Sequence, residues 1–152
     1  NCFYVEKARY NQDRNIQIRE NDVLVTKDGT IGKVAFIKSI PKPATLNSGV
    51  FVIRPLDNSF YPEFFYYLLM SEVFKQFLNQ LSAGSTINHL YQKDFIHFKF
   101  FTPNNIEDQI RIAKVLSDLD SGIIILQQKL SKYKLLKVGL MQNLLTGKIR
   151  LK

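Results

Sequence analysis

Two hydrophobic periods divide the chain. Between Asp22 and Pro55 lie three short apolar runs rich in β-branched residues, "DVLVTK" (22–27), "KVAFIK" (33–38) and "GVFVIRP" (49–55). Polar, glycine-bearing stretches separate them, which is the pattern of strands, and the first two read as a hairpin around Asp28-Gly29. Pro55 stops the third. From Tyr61 the period changes. In "YPEFFYYLLMSEVFKQFLNQL" (61–81), Phe64, Leu68, Phe77, Leu78 and Leu81 can share one helical face, and Pro62 suits the first helical position. Ala83-Gly84 ends that helix. A polar loop, "GSTINHLYQKD" (84–94), leads into "FIHFKFF" (95–101), which reads as a further strand.

"TPNN" (102–105) marks the boundary between this mixed head and a long helix. Proline breaks the strand, and Asn104 with Glu107 makes a start of the capping-box type. Beyond it Ile112, Leu116, Leu119, Ile123, Leu126, Leu130, Tyr133, Lys137, Leu140 and Leu144 recur alternately four and three residues apart. Nine of these ten positions are apolar or aromatic, which is the seam of a coiled coil. Lys137 is the exception, and a lone polar residue there can fix register at a cost in stability. Ile124 and Leu136 lie off the stripe and widen it, as in a bundle of more than two helices. Gly122 and Gly139 each cost about 1 kcal/mol relative to Ala, and Gly147 can take a left-handed cap. A helix from about 105 to 145 is roughly 60 Å long, whereas a compact domain of a hundred residues has a radius of gyration of about 13 Å. The head cannot cover such a seam, so a second helix is implied, from another copy or a different chain. The competing reading breaks the helix at Gly122 and folds it back.

Composition narrows the class. The 152 residues suit one domain, or a domain with an appendage, and 45% hydrophobic with 22% charged residues is ordinary for a folded protein. Cys2 is the single cysteine, which excludes an internal disulfide framework and a thiolate zinc cluster, and fits a reducing, cytoplasmic setting. No stretch is long and apolar enough for a bilayer, and none resembles a signal peptide. The chain opens on Asn1 in mid-pattern, as a fragment or processed product would. A formal charge of +8 favours acidic partners: nucleic acid, a membrane surface or an acidic protein. Residues 1–102 carry only +3 of it, while the stretch from Lys129 onward has 7 basic residues and no acidic one. A head at +3 alone would hold a duplex weakly, because phosphate neutralisation supplies most non-specific affinity.

Blocks in both halves now form a recognisable set. They are "DVLVTKDGTIGKVA" (22–35), "LNSGVFVIRP" (46–55), "FFYYLL" (64–69), "GSTINHL" (84–90), "PNNIEDQIRIAKVLSDLD" (103–120) and "LMQNLLTGKIRL" (140–151). Their order and spacing resemble the specificity (S) subunits of type I restriction–modification enzymes. The resemblance implies an α+β chain: a small mixed α/β target recognition domain over 1–102, incomplete at its start, then a conserved spacer and dimerisation helix with a C-terminal tail over 103–152. Family members have two such domains, each followed by a helix, the two helices antiparallel; this chain resembles the C-terminal half. The domain would read one half of a bipartite duplex sequence. The helix would set the distance to the other half-site and dock the modification subunits, and through them the restriction subunit. Methyl transfer and cleavage would belong to those partners, with no cofactor on this chain and no membrane association.

The residues agree with a binding rather than a catalytic role. His89 and His97 stand eight apart without a cysteine or carboxylate at ligand spacing, "DGTIG" lacks the spacing of a dinucleotide loop, and no nucleophile has a base beside it. Around Asp28-Gly29 two readings stand. The glycines suit a tight turn, with Gly32 relieving crowding where the strand resumes; Lys27, Thr30 and Lys33 are either a solvated turn or contacts to phosphates and base edges. The second loop offers Ser85, Thr86, Asn88, His89, Tyr91, Gln92 and Lys93, groups that can pair with bases or hold phosphate, or else satisfy the loop backbone. Arg9, Arg14 and Arg19 are further candidates for contact or for solvated surface. Lys129, Lys132, Lys134 and Lys137 make either a solvated, partner-facing helix surface or a phosphate track. Two rivals to the subunit reading remain: the recognition segment of a fused restriction–methyltransferase, and a coiled-coil interaction module without DNA binding.

Overall fold

The structure, a computed structural model, describes residues 4–82 and 89–150. The chain divides into two compact units, Asn1–Ala113 and Lys114–Lys152. A short helix, α1 (Lys7–Gln12), precedes a three-stranded antiparallel sheet of β1 (Val23–Thr26), β2 (Val34–Phe36) and β3 (Val50–Ile53). β1 is the middle strand, its Leu24 opposite Ala35 on one side and Val52 on the other. Period-two alternation places Val23 and Val25 wholly inside, with Leu24 and Thr26 partly exposed. The mixed α+β class, the hairpin and the third strand are as the pattern predicts.

The apolar run after Tyr61 departs from expectation. It makes two helices, α2 (Pro62–Met70) and α3 (Glu72–Leu81), because Ser71 takes an extended conformation between them. Its N–H donates to Leu68 O, closing α2, and its Oγ accepts from the Val73 N–H, opening α3. One serine therefore ends one helix and caps the next. The break shifts the phase of the buried face. Phe64, Phe65, Leu69 and Phe74 are buried, whereas Leu81, expected on the inner stripe, is exposed.

Phe74 sits at the centre of the core with Val23, Val25, Phe65, Leu69, Leu90 and Phe98. Its ring stands edge-on to Phe98 at 5.3 Å and Phe95 at 6.0 Å, and stacks on Phe77 at 6.1 Å. Burying one such side chain stabilises the fold by about 2–3 kcal/mol. The phenylalanines of the 95–101 segment serve this core, but not as a ladder strand. α4 (Gln92–Phe95) takes the first of them, a turn follows, and the chain then continues without regular secondary structure. Burial still alternates, Phe98 inside and His97, Lys99 and Phe101 outside. The strand-like pattern is real, yet among the described residues no strand pairs with it.

α5 (Ile106–Leu145) is a continuous helix of 40 residues. Its start is one residue later than expected: Asn105, not Asn104, caps it, accepting the Glu107 N–H at 2.9 Å. Within the first unit its opening turns bury Gln109 and Ala113. Gln109 is 1% exposed; its Oε1 accepts from the Tyr61 N–H and its Nε2 donates to Pro103 O, both at 2.9 Å. Within the second unit the helix passes Gly122 and Gly139 without a break and stops before Gly147, whose φ is +72°. The seam is uncovered. Seven positions run from 37% exposure at Leu144 to 65% at Leu126, namely Leu119, Ile123, Leu126, Leu130, Tyr133, Leu140 and Leu144, while Leu116 is half-buried. Ile112, still in the first unit, is 40% exposed. Among the described residues no helix is long and apolar enough to cross a membrane.

Candidate nucleic-acid interface

The loop from Lys27 to Lys33 is organised by Thr26, the last residue of β1. Thr26 exchanges main-chain bonds with the loop's end, its N–H donating to Lys33 O and its carbonyl accepting the Gly32 N–H, both at 2.9 Å. Its hydroxyl donates to Thr30 O at 2.5 Å and accepts the Lys33 N–H at 3.0 Å. Gly29 and Gly32 hold φ of +67° and +78°, which glycine adopts without penalty. They differ in surroundings. A Cβ on Gly32 would collide with Leu78 Cδ1 of α3, while one on Gly29 would meet no described residue within 4 Å. Gly32 is thus the close approach of loop to helix, while at Gly29 the positive φ is what calls for glycine.

The two polar loops that the sequence presents sixty residues apart are neighbours. Asp28 and His89 form an antiparallel bridge, and the Leu90 N–H donates to Lys27 O at 2.9 Å. The Asp28 carboxylate accepts from His89 Nδ1. On its other side the Lys27 N–H donates to Gly49 O at 2.8 Å, and Asn47 Oδ1 accepts the Gly49 N–H at 3.0 Å. Three segments therefore meet at Lys27: its own loop, the Asn47–Gly49 turn and the stretch leading into α4. From His89 a series of side chains continues outward. The Tyr91 ring lies 4.3 Å from the His89 ring, and the Lys93 ammonium stands 5.2 Å from the Tyr91 centroid, a cation–π contact.

Of the residues singled out for contact, Thr30, Lys33, Tyr91 and Lys93 are exposed, and Lys27 and His89 half-buried. Lys27, Lys33 and Lys93 form no ion pair with any described residue. Ser85, Thr86 and Asn88 lie outside the described residues. The N-terminal arginines have partners of their own: Arg9 donates to Gln12 Oε1 within α1, and the Arg19 N–H donates to Asp22 Oδ2. Arg54 belongs to the scaffold. It donates from Nε to Asp22 Oδ1 at 2.6 Å, and from one terminal nitrogen to Asp22 Oδ2 at 2.8 Å and Gln17 O at 2.7 Å. The hydrogen bonds it donates to Asp22 raise the Arg54 guanidinium above its ordinary pKa, against the opposing effect of burial. Sequence reasoning passed over Asp28, Asn47 and Gln109. An asparagine two residues before a glycine, and a glutamine on an apolar helical stripe, were the available signals; for Asp28 the partner sixty-one positions away gave none.

The profile of the type I restriction modification DNA specificity domain matches residues 5–134, which takes in both loops and most of α5. The chain belongs to that family. Among its relatives is the type I restriction enzyme MjaVIII specificity subunit of Methanocaldococcus jannaschii, 32% identical over 122 residues, or 79% of this chain and 28% of the relative. The putative MjaX specificity subunit of the same organism is 28% identical over 94% of this chain and 34% of its own length. Its MjaIX specificity subunit is 34% identical over 66% of this chain and 22% of the relative. The chain thus spans between 22% and 34% of the length of these specificity subunits.

Proposed function

We propose that this chain is a DNA-recognition piece of a type I restriction–modification specificity subunit, reading one half-site of a bipartite duplex sequence. The loop pair of Lys27, Thr30, Lys33, His89, Tyr91 and Lys93 contacts the duplex, with Ser85, Thr86 and Asn88 as further contacts. Residues 1–102 act as the recognition domain. Residues 103–152 act as the spacer, the exposed stripe from Ile112 to Leu144 pairing with another helix, that of a second copy when this chain is alone. The helix sets half-site spacing and docks the modification subunits, to which this reading assigns methyl transfer, and through them the restriction subunit. The setting is cytoplasmic.

Family membership over 5–134 carries this reading, supported by three lysines without carboxylate partners among the described residues, around two stitched loops. Phosphate neutralisation needs such free cations, and short strands holding tight loops present them. The test is mobility-shift binding of a randomised duplex pool by the chain with its modification subunit. Selection of one sequence class, and a loss of affinity on Lys33→Ala that is uniform across sequences, supports the reading. Binding without sequence preference would favour the coiled-coil module, which the uncovered seam also fits.

A further inference from the structure

Asp28 is an acidic residue in a loop otherwise suited to phosphate, and the side-chain partner described for it is His89. We propose that Asp28 is a positioning residue for His89, holding the imidazole so that Nε2 is presented to a base edge. The proposal rests on the loop pair being the nucleic-acid interface.

The main chain already joins the two loops without help from these side chains, through the Asp28–His89 bridge and the bond from the Leu90 N–H to Lys27 O. The carboxylate–imidazole contact is therefore additional to the stitching, and its consequence is chemical. An ionised carboxylate only accepts hydrogen bonds, so the hydrogen sits on Nδ1. In the neutral ring that fixes the tautomer and leaves Nε2 as an acceptor. Tyr91, 4.3 Å away and tilted by 51°, flanks the imidazole. The His89 side chain is 29% exposed, so the ring is held yet remains accessible. An acceptor held at one place matches the exocyclic amino groups of adenine and cytosine, which point into the major groove. Pairing with His89 also occupies the carboxylate that would otherwise face phosphates beside Lys27 and Lys33. Asp28 thus acts on recognition through another residue.

Substitutions separate the two ends of the ring. His89→Asn keeps a donor where Nδ1 stands but has nothing at Nε2; His89→Gln does the reverse. Asp28→Asn keeps an oxygen acceptor, and Asp28→Ala removes it. With the full chain, a duplex pool randomised at its centre is selected at low salt and sequenced. His89→Asn is expected to keep the thermal midpoint, lose preference at one base position and bind the wild-type selected duplex roughly tenfold more weakly, the worth of one hydrogen bond. Asp28→Ala is expected to blur the same position, and Asp28→Asn to restore it. Long-range proton–nitrogen spectra should show the Nδ1–H tautomer in the wild type and Asp28→Asn, and a mixture in Asp28→Ala. A wild type that selects a sequence while His89→Asn selects it equally well overturns this proposal and leaves the interface standing. An unchanged single tautomer in Asp28→Ala overturns it as well. A wild type that selects nothing, with or without its modification subunit, removes the interface reading and this proposal together.

Discussion

Arg54 illustrates why a basic residue in a protein of charge +8 need not be available to a polyanion. Its guanidinium forks onto Asp22, a residue 2% exposed whose carboxylate also accepts the Arg19 N–H. Taking away one member of a buried pair leaves a charge in a poor medium, so Arg54→Met should lower the unfolding free energy by about 3 kcal/mol, read by urea titration. Adding Asp22→Asn to that variant should recover part of the loss, because the stranded charge is gone. Lys27, Lys33 and Lys93 differ from Arg54 in having no carboxylate among the described residues. What separates a clamp from a contact at this scale is the partner, not the residue type.

Among the elements, α5 combines two kinds of surface. Its opening turns are anchored in the first unit by Gln109, which satisfies the Tyr61 N–H at the start of α2 and the Pro103 carbonyl before α5. Gln109→Leu keeps the volume and deserts both groups, at about 1–3 kcal/mol each; chemical unfolding should register the sum as a lower midpoint. From Lys114 onward no described residue is buried, and heptad-spaced leucines stay in water. Exposed stripes of that size mark an interface. If this stripe pairs with that of a second copy, as proposed, Leu126→Lys with Leu130→Lys should give a monomer in sedimentation where the wild type gives a dimer or larger, with helicity falling as well. A wild type that sediments as a monomer at micromolar concentration would contradict the pairing.

At the scale of the whole chain, charge is divided: the first 102 residues hold +3 and the remaining 50 hold +5. If phosphate contacts supply most of the affinity, duplex binding by the isolated chain should be weak and should fall steeply with salt, log K declining by roughly 0.9 per contacted phosphate for each unit of log salt. A flat salt response in a titration would mean that the lysines are not the contacts. The sequence alone determined the features carried by local pattern. β1 and β2 follow from β-branched alternation on either side of glycines, and α5 from a four-three apolar repeat that two isolated glycines cannot interrupt at about 1 kcal/mol each. Family membership was legible for the same reason, since motifs are local and ordered. Tertiary structure alone decided the rest. The aromatic run after Phe95 alternates like a strand but finds no described strand to pair with, and pairing depends on what lies across space. The Asp28–His89 contact joins positions sixty-one apart, a separation over which no periodicity speaks. Proximity of that kind arises only when the chain has folded, because it is set by which strand ends and loop carbonyls share the same space.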